Sequence, residues 1–186
     1  VSARVACILL LFVVLVAVVA VFWTPCDPYV DGMLNQPPSA DHPFGTDNKG
    51  RDVLSRMMVG ARTSLVIGLG ATAFALVVGS IIGSIAAVSR KWISEVIMRI
   101  LDIIMSFPGI ALAATLIIVF GQNLPTLVLA IGFLYIPQIA RIVRANVVSE
   151  YGHDYVRAVV VSGARAPWIL IKHVMRNCAA PVMVFT

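Results

Sequence analysis

The chain has 186 residues, of which 60% are hydrophobic and only 12% charged, and its mean hydropathy is +0.95. Soluble globular domains carry about 45–50% apolar and about 25% charged residues, so this chain has too little charge to cover a water-facing surface. The composition predicts an integral membrane protein. The net charge of +5 comes from basic residues that flank apolar runs, which favours membrane orientation over nucleic-acid binding.

The three cysteines and three histidines are scattered, without a CxxC pair or another local metal-ligand spacing. We therefore predict no metal site. The sequence also lacks Walker A, GxSxG and HExxH motifs. We therefore predict no catalytic residue and expect that the chain is not an enzyme. Because the chain opens on Val1 and closes inside an apolar run, both ends look cut, and we expect it to be a piece of a longer protein that is truncated at its C-terminus.

The first element is the unbroken apolar run from Val5 to Phe22, about 18 residues and close to the length that crosses a bilayer. The residues after it contain no small-x-small cleavage site, which argues against a secretory signal. Trp23 suits a position at the membrane interface. Residues 1–23 are predicted to be the first transmembrane helix.

Residues 24–62 are polar and rich in proline and glycine, which predicts an extracytoplasmic loop. Within the loop, Val53, Leu54, Met57 and Met58 have the spacing of one apolar helix face. We expect a short amphipathic helix over Arg51–Met58, lying on the membrane surface before the next span.

Residues 63–186 are predicted to form the core of the bundle, with Gly79 and Gly83 in a GxxxG motif. Such spacing lets helix backbones approach closely, although a generally glycine-rich membrane helix is an equally good explanation. The predicted spans are 63–88, 100–120, 124–142 and the start of another at 178–186.

Lysine and arginine are distributed unequally between the loops. The loop 24–62 has few of them, offset by five aspartates, whereas the N-terminus and the loops around 90–99 and 141–176 are basic. The positive-inside rule then places the N-terminus and the loop 145–176 in the cytoplasm, and residues 24–62 outside.

The cytoplasmic segment 149–177 has a pattern of two short helices separated by Gly163, with Pro167 opening the second. A solvated basic loop is the alternative. The segment resembles the cytoplasmic EAA loop of ABC importer permeases, with Ala158 and Gly163 as strict matches and Arg176 replacing that family's proline. The resemblance implies an ATPase-coupling loop that includes Tyr155, Arg157, Ala158, Gly163 and Ala164.

The extracytoplasmic run from His42 to Asp52 resembles the His-Pro-Phe-Gly-Thr-Asp, two residues, Gly-Arg-Asp motif of dipeptide and oligopeptide permeases, in particular their C-type subunit. From the residues themselves we expect tight turns at the glycines, side-chain bonds to nearby amides, and a helix cap at Asp52. The segment reads as an ordered cap and docking surface and lacks the ligand spacing of a calcium loop. The motif residues are Phe44, Gly45, Thr46, Asp47, Gly50, Arg51 and Asp52.

The third predicted span contains Asp102 and Pro108, which are candidates for a gate or kink and also resemble that family's third span. A carboxylate within a span is a functional candidate by default. Asp102 lies within a turn of Arg99, however, so capping or a local salt bridge is at least as good an explanation. Pro108 is expected to kink the helix.

The resemblance implies an all-α polytopic transmembrane helical bundle of the type I ABC importer permease fold, with about five of six spans represented. It implies transport of dipeptides or oligopeptides across the bacterial cytoplasmic membrane, beside a second homologous permease, two cytoplasmic ATPase subunits, an extracytoplasmic substrate-binding protein and membrane lipid. ATP and Mg²⁺ would be bound by the partner ATPase and no cofactor by this chain. The alternatives are a nickel or glutathione ABC permease, an ion-coupled secondary transporter and an intramembrane enzyme.

Overall fold

The computed structural model describes residues 2–152, and their regular structure is α-helical, as the sequence predicts. The chain divides into two compact units, one up to Gly68 and the other from Leu69 onward. Three helices are long and apolar enough to cross a membrane, and a bent helix pair raises that number to four if it forms one span. The helices are α1 (Ser2–Phe22), α2 (Val53–Val88), α3 (Lys91–Ser106), α4 (Gly109–Phe120) and α5 (Leu124–Tyr151).

In the first unit, α1 coincides with the first predicted span and ends one residue before Trp23. Most of its large apolar side chains are exposed, and its buried positions are the small residues Ala17 and Ala20. An apolar helix with so little buried surface suits a lipid environment, where exposed aliphatic side chains carry no penalty.

The start of α2 differs from the expectation of a separate surface helix over Arg51–Met58. One continuous helix runs from Val53 to Val88, because nothing between Met58 and Thr63 interrupts the helical hydrogen bonds. Gly60 is the only helix-weakening residue at that point, and an isolated glycine costs a helix only about 1 kcal/mol. The predicted boundary at residue 62 therefore falls inside α2.

In the second unit, α2 packs against α5 through glycines. Gly79 lies against Ile139, Gly83 lies against the Ala140 backbone, and Gly132 of α5 lies against Ala71. The absence of a side chain at these positions lets the two backbones approach, so the GxxxG pattern marks a genuine helix contact. Around it lies the buried core, formed by Ala75, Leu101, Ile136, Ile139, Ala140, Val143 and Val147.

The third predicted span, 100–120, is not a single helix. The structure breaks it at Phe107–Pro108 into α3 and α4, which are bent by 88°. Proline lacks an amide hydrogen and disfavours helical geometry in the residue before it, and Phe107 is extended with ψ of 141°. The kink expected at Pro108 is thus a complete interruption, and α3 begins at Lys91, nine residues before the predicted span.

Both helices of the bent pair pack against α5. Near the start of α3, Ser94 accepts a hydrogen bond from Arg144 Nε at 2.8 Å. At the start of α4, Gly109 lies beside Leu134. The chain then turns at Gly121, and Asn123 caps α5 by accepting the Thr126 amide at 2.9 Å. The contacts of the pair therefore move from the C-terminal half of α5 at Ser94 towards its N-terminus at the end of α4.

Helix α5 extends beyond the predicted end of its span at residue 142 and continues to Tyr151. Residues 145–151, expected to open the cytoplasmic loop, are therefore helical. The remainder of the 145–176 loop beyond Gly152, and the span expected to start at residue 178, lie outside the described residues.

The glycine contact predicts a measurable cost for a single methyl group. A Cβ at Gly83 would stand 3.0 Å from Val143 Cβ and closer still to the Ala140 carbonyl oxygen. We expect Gly83→Ala to lower the free energy of unfolding by about 1–3 kcal/mol, the usual cost of overpacking. Denaturation of the purified chain in detergent, followed by circular dichroism, measures this.

Gly68→Ala in the same helix is the matched control, since no neighbouring atom lies within 4 Å of a Cβ there. It should leave stability unchanged or slightly raised, because alanine is the better helix former. Equal effects of the two substitutions would show that the α2–α5 contact does not depend on glycine.

Candidate functional site

The loop between α1 and α2 is organised around two glycines with positive φ. Gly45 has a φ of +73° and Gly50 a φ of +80°, which confirms the tight turns expected there. Both are buried, and a side chain on Gly50 would collide with the backbone of Gly32. The loop therefore needs glycine at these positions for both conformation and space.

Thr46 and Asp52 face each other as an isolated antiparallel bridge, and both are buried. The Thr46 hydroxyl donates to the Met33 carbonyl at 2.6 Å and accepts from the Gln36 amide at 2.8 Å. A single threonine thus holds the preceding stretch of loop against the bridge. Phe44, by contrast, is 55% exposed.

Asp47 closes the turn that contains Gly50. Its Oδ1 accepts the amides of Lys49 and Arg51 at 2.8 and 3.0 Å, and its Oδ2 accepts Arg51 Nη2 at 2.9 Å. These contacts confirm the amide bonding expected for Asp47. The Arg51 amide, followed by the Lys49 amide and the Arg51 guanidinium, outweighs desolvation and lowers the pKa of Asp47 to about 2. The carboxylate is therefore charged at any physiological pH.

Asp52 is the N-cap of α2, as predicted. Its Oδ2 accepts the Ser55 amide at 2.8 Å and the Ser55 hydroxyl at 2.7 Å. Its Oδ1 lies 3.0 Å from His42 Nδ1. Burial raises the pKa of Asp52, but the hydrogen bonds from Ser55 and His42 prevail and hold it below its ordinary value. A buried carboxylate with this many donors is charged and fully engaged.

Three residues around Asp52 were not among the predicted site residues. Ser55 also accepts the Cys26 amide at 3.0 Å, which ties the end of α1 to the start of α2 within the first unit. Cys26 Sγ lies 3.9 Å from His42 Nδ1. The Cys26–Ser55 hydrogen bond joins positions 29 residues apart, so no local sequence pattern predicts it. The one available signal was that His42 lies within the recognised motif and Ser55 just after it.

Asp102, the other predicted site residue with chemistry of its own, pairs with Arg141 of α5. The local salt bridge with Arg99 suggested by the sequence is therefore wrong, since the structure gives Asp102 a partner 39 residues away. Both side chains are about half exposed on the surface of the second unit. This ion pair joins α3 to α5 about one and a half helical turns before the Pro108 break. It therefore lies close to the bend between α3 and α4.

The site residues thus form two groups, each within its own unit. The loop group builds a hydrogen-bonded polar surface. Its Cys26, His42 and Asp52 do not form a catalytic relay, because the Cys26 sulfur and the Asp52 carboxylate approach the same His42 nitrogen, Nδ1. The Asp102–Arg141 group adjoins a helix break. The predicted coupling residues Tyr155, Arg157, Ala158, Gly163 and Ala164 lie outside the described residues.

The cap predicts that Asp52 stabilises the loop. In a chain with Cys7 and Cys178 replaced by serine, we expect Asp52→Ala to make Cys26 react with a thiol reagent about 30-fold faster. Losing the cap, and with it the acceptor of the Ser55 amide and hydroxyl protons, costs about 2 kcal/mol, and each 1.4 kcal/mol is tenfold. Alkylation kinetics of the detergent-solubilised protein measure this.

Asp41→Ala is the control, since that side chain is exposed and also adjoins His42. Its alkylation rate should match that of the parent. Unchanged Cys26 reactivity in Asp52→Ala would mean that the loop is held by other contacts.

Residues 79–186 match the model of the family described as binding-protein-dependent transport system inner membrane component. The chain is 40% identical, over 98% of its length, to a Brucella suis protein whose name describes a peptide transport system permease. It is 35% identical over 98% of its length to the oligopeptide transport system permease protein of Bacillus subtilis, and 34% identical over 94% to the glutathione transport system permease protein of Pectobacterium atrosepticum.

The chain spans 62% of the length of the Brucella relative and 60% of each of the other two. The family match covers more than half of the chain and includes the C-terminal part of α2 and all of α3, α4 and α5. The chain therefore belongs to the family of binding-protein-dependent transport system inner membrane components.

Proposed function

We propose that the chain is the permease subunit of an ATP-driven ABC importer that moves peptides across the bacterial cytoplasmic membrane. The observation that carries this proposal is the similarity, at 35–40% identity over 98% of the chain, to permeases named for peptide and oligopeptide transport. The apolar helices supply the membrane-spanning part, and the chain acts as a transport component without an ATPase site of its own.

The contacts of the bent pair support its crossing the membrane as one broken span. The Arg144–Ser94 hydrogen bond joins the start of α3 to the C-terminal half of α5, while the end of α4 leads directly into the N-terminus of α5. A re-entrant loop would return to the side from which it started. With one broken span, α1, α2, α3–α4 and α5 alternate. The basic segments at the N-terminus, at 90–91 and at 141–144 then fall on the cytoplasmic side, and the loop 24–62, whose few basic residues are offset by five aspartates, falls outside.

Uptake in this proposal requires partners. A second homologous permease would complete the pathway, two cytoplasmic ATPase subunits would bind ATP and Mg²⁺, and an extracytoplasmic protein would deliver the substrate. Closure of the ATPases on ATP would push the coupling loop 145–176, whose first residues continue the rigid helix α5. Because α5 holds α3 through Asp102–Arg141, its movement would reach the break at Pro108, which supports a gate at that point.

Glutathione is the second candidate substrate, because glutathione permeases of Pectobacterium atrosepticum and Escherichia coli are 34% and 35% identical to the chain. Glutathione is itself a peptide, so both candidates need a pathway that accepts a charged, hydrogen-bonding backbone. Competition of unlabelled dipeptides, oligopeptides and glutathione for uptake by the assembled transporter separates them.

The proposed topology predicts opposite accessibility for two exposed lysines. In a cysteine-free background, Lys49→Cys in the α1–α2 loop should react with a membrane-impermeant thiol reagent in intact cells. Lys91→Cys at the start of α3 should react only after lysis, because its loop faces the cytoplasm. Labelling is read by gel shift, and the reverse pattern would invert the topology.

The proposed coupling loop predicts that Gly163→Asp uncouples the assembled importer. A bulky charge should block docking of the ATPase, so we expect uptake to fall by at least about tenfold while the permease stays in the membrane. ATP hydrolysis should continue without transport, or the ATPase should co-purify poorly. Radiolabelled peptide uptake and ATPase activity in proteoliposomes measure both.

Gly163→Ala is the size control. A methyl group should cost about 1 kcal/mol if the backbone needs glycine there, so uptake should be reduced but not lost. Normal, coupled uptake by Gly163→Asp would show that the loop does not couple the permease to its ATPase.

A further inference from the structure

Three side chains of classes that bind metals meet in the loop of the first unit. Cys26 follows α1, His42 lies in the loop, and Asp52 is the residue just before α2. The Cys26 sulfur, a His42 ring nitrogen and an Asp52 oxygen all lie within 4.8 Å of one another. Their separations of 16 and 10 residues explain why no local ligand spacing is visible in the sequence.

The distances between these atoms are close to those around a tetrahedral zinc ion. Zinc binds sulfur at about 2.3 Å and imidazole nitrogen or carboxylate oxygen at about 2.0–2.2 Å, so tetrahedral angles separate N and S by ~3.6 Å and N and O by ~3.4 Å. The structure has 3.9 Å between Cys26 Sγ and His42 Nδ1, and 3.0 Å between His42 Nδ1 and Asp52 Oδ1. These two distances differ from the tetrahedral values by about 0.3–0.4 Å, and the Cys26 sulfur lies within 4.8 Å of an Asp52 oxygen, so small side-chain rotations would complete the geometry.

The ligands are also held in place by a shared neighbour. Ser55 donates its amide and hydroxyl to Asp52 Oδ2, which leaves Oδ1 directed at His42. The same Ser55 hydroxyl accepts the Cys26 amide and so positions the residue that carries the thiol. Such secondary hydrogen bonds orient metal ligands and raise affinity.

We propose that Cys26, His42 and Asp52 form a zinc-binding site that fastens the α1–α2 loop to the N-terminus of α2. A thiolate, an imidazole and a carboxylate together suit a borderline-soft divalent cation such as Zn²⁺ rather than Mg²⁺ or Ca²⁺. Asp52 is buried whereas Cys26 and His42 are half-buried, so the fourth position opens to solvent and takes a water molecule.

Binding changes the protonation of two ligands in a defined way. The Cys26 thiol loses its proton to solvent and becomes a thiolate, while neutral His42 binds through Nδ1 and carries its proton on Nε2. Asp52 is already a carboxylate, so it releases none. The metal replaces the His42–Asp52 hydrogen bond, and one proton leaves for each zinc ion bound.

Cobalt and zinc titration of the purified chain in detergent tests the site. Co²⁺ should bind at one ion per chain with a thiolate-to-metal charge-transfer band, and Zn²⁺ should displace it. We expect binding at least about tenfold weaker in Cys26→Ser and in His42→Gln, in which the amide can still bond to Asp52. Cys7→Ser, an exposed cysteine on α1, is the control and should bind as the parent does.

A second measurement tests the ligand without substituting it. In a chain whose Cys7 and Cys178 are replaced by serine, saturating Zn²⁺ should slow alkylation of Cys26 at least about tenfold, and a chelator should restore the rate. An alkylation rate that zinc does not change, or a charge-transfer band that persists in Cys26→Ser, would overturn the proposal.

Discussion

The close backbone contact between α2 and α5 is the constraint on which the second unit depends. In a bilayer the lipid tails are as apolar as the side chains, so burial between helices brings no hydrophobic gain. Helices therefore associate through close packing and van der Waals contact. Gly79, Gly83 and Gly132 allow that close packing by leaving no side chain between the helices. The buried core around this contact consists of aliphatic residues, from alanine to leucine and isoleucine. Helix α3 then joins α5 through Leu101, the buried member of its apolar face, and through two polar bonds.

The first unit solves a different problem, since some 30 residues between α1 and α2 form no regular secondary structure. Connections of that length are uncommon and need their own source of order. In this loop the order comes from hydrogen bonds and ion pairs of polar side chains. Asp47 and Asp52 accept hydrogen bonds from backbone amides, a hydroxyl and cationic side chains. Gly45 and Gly50, both with positive φ, allow the chain to fold back on itself. Each buried carboxylate oxygen has a donor, which is the condition for placing charge in a partly desolvated loop.

The break at Phe107–Pro108 links structure to the proposed transport role. A continuous helix would move as one rigid rod, whereas the break between α3 and α4, with its bend of 88°, allows the two helices to move relative to each other. The Asp102–Arg141 ion pair lies just before that junction and holds α3 to α5. Charges in a membrane segment are costly unless paired, so this pair is a constraint that a moving gate would have to keep or exchange. Helix α5 reaches nine residues past its predicted end, towards the segment that resembles a coupling loop.

Local sequence patterns determined the helical class, the turns at Gly45 and Gly50, and the cap at Asp52. Each of these depends on neighbours within a few residues, such as an apolar run, a glycine in a polar stretch or an aspartate before a helix. The family resemblance rested on the same kind of local pattern, and the family match confirmed it.

Tertiary structure alone decided the rest, because the deciding contacts join distant positions. The Asp102 carboxylate pairs with Arg141 rather than with nearby Arg99, and Cys26 meets His42 and Asp52 only after the loop has folded. The sequence showed that Gly79 and Gly83 permit a close helix contact, but the identity of the partner, α5, depended on which backbone packed there. Pro108 predicted a kink, and only the structure shows that it is a complete break with a bend of 88° between two helices that both pack against α5.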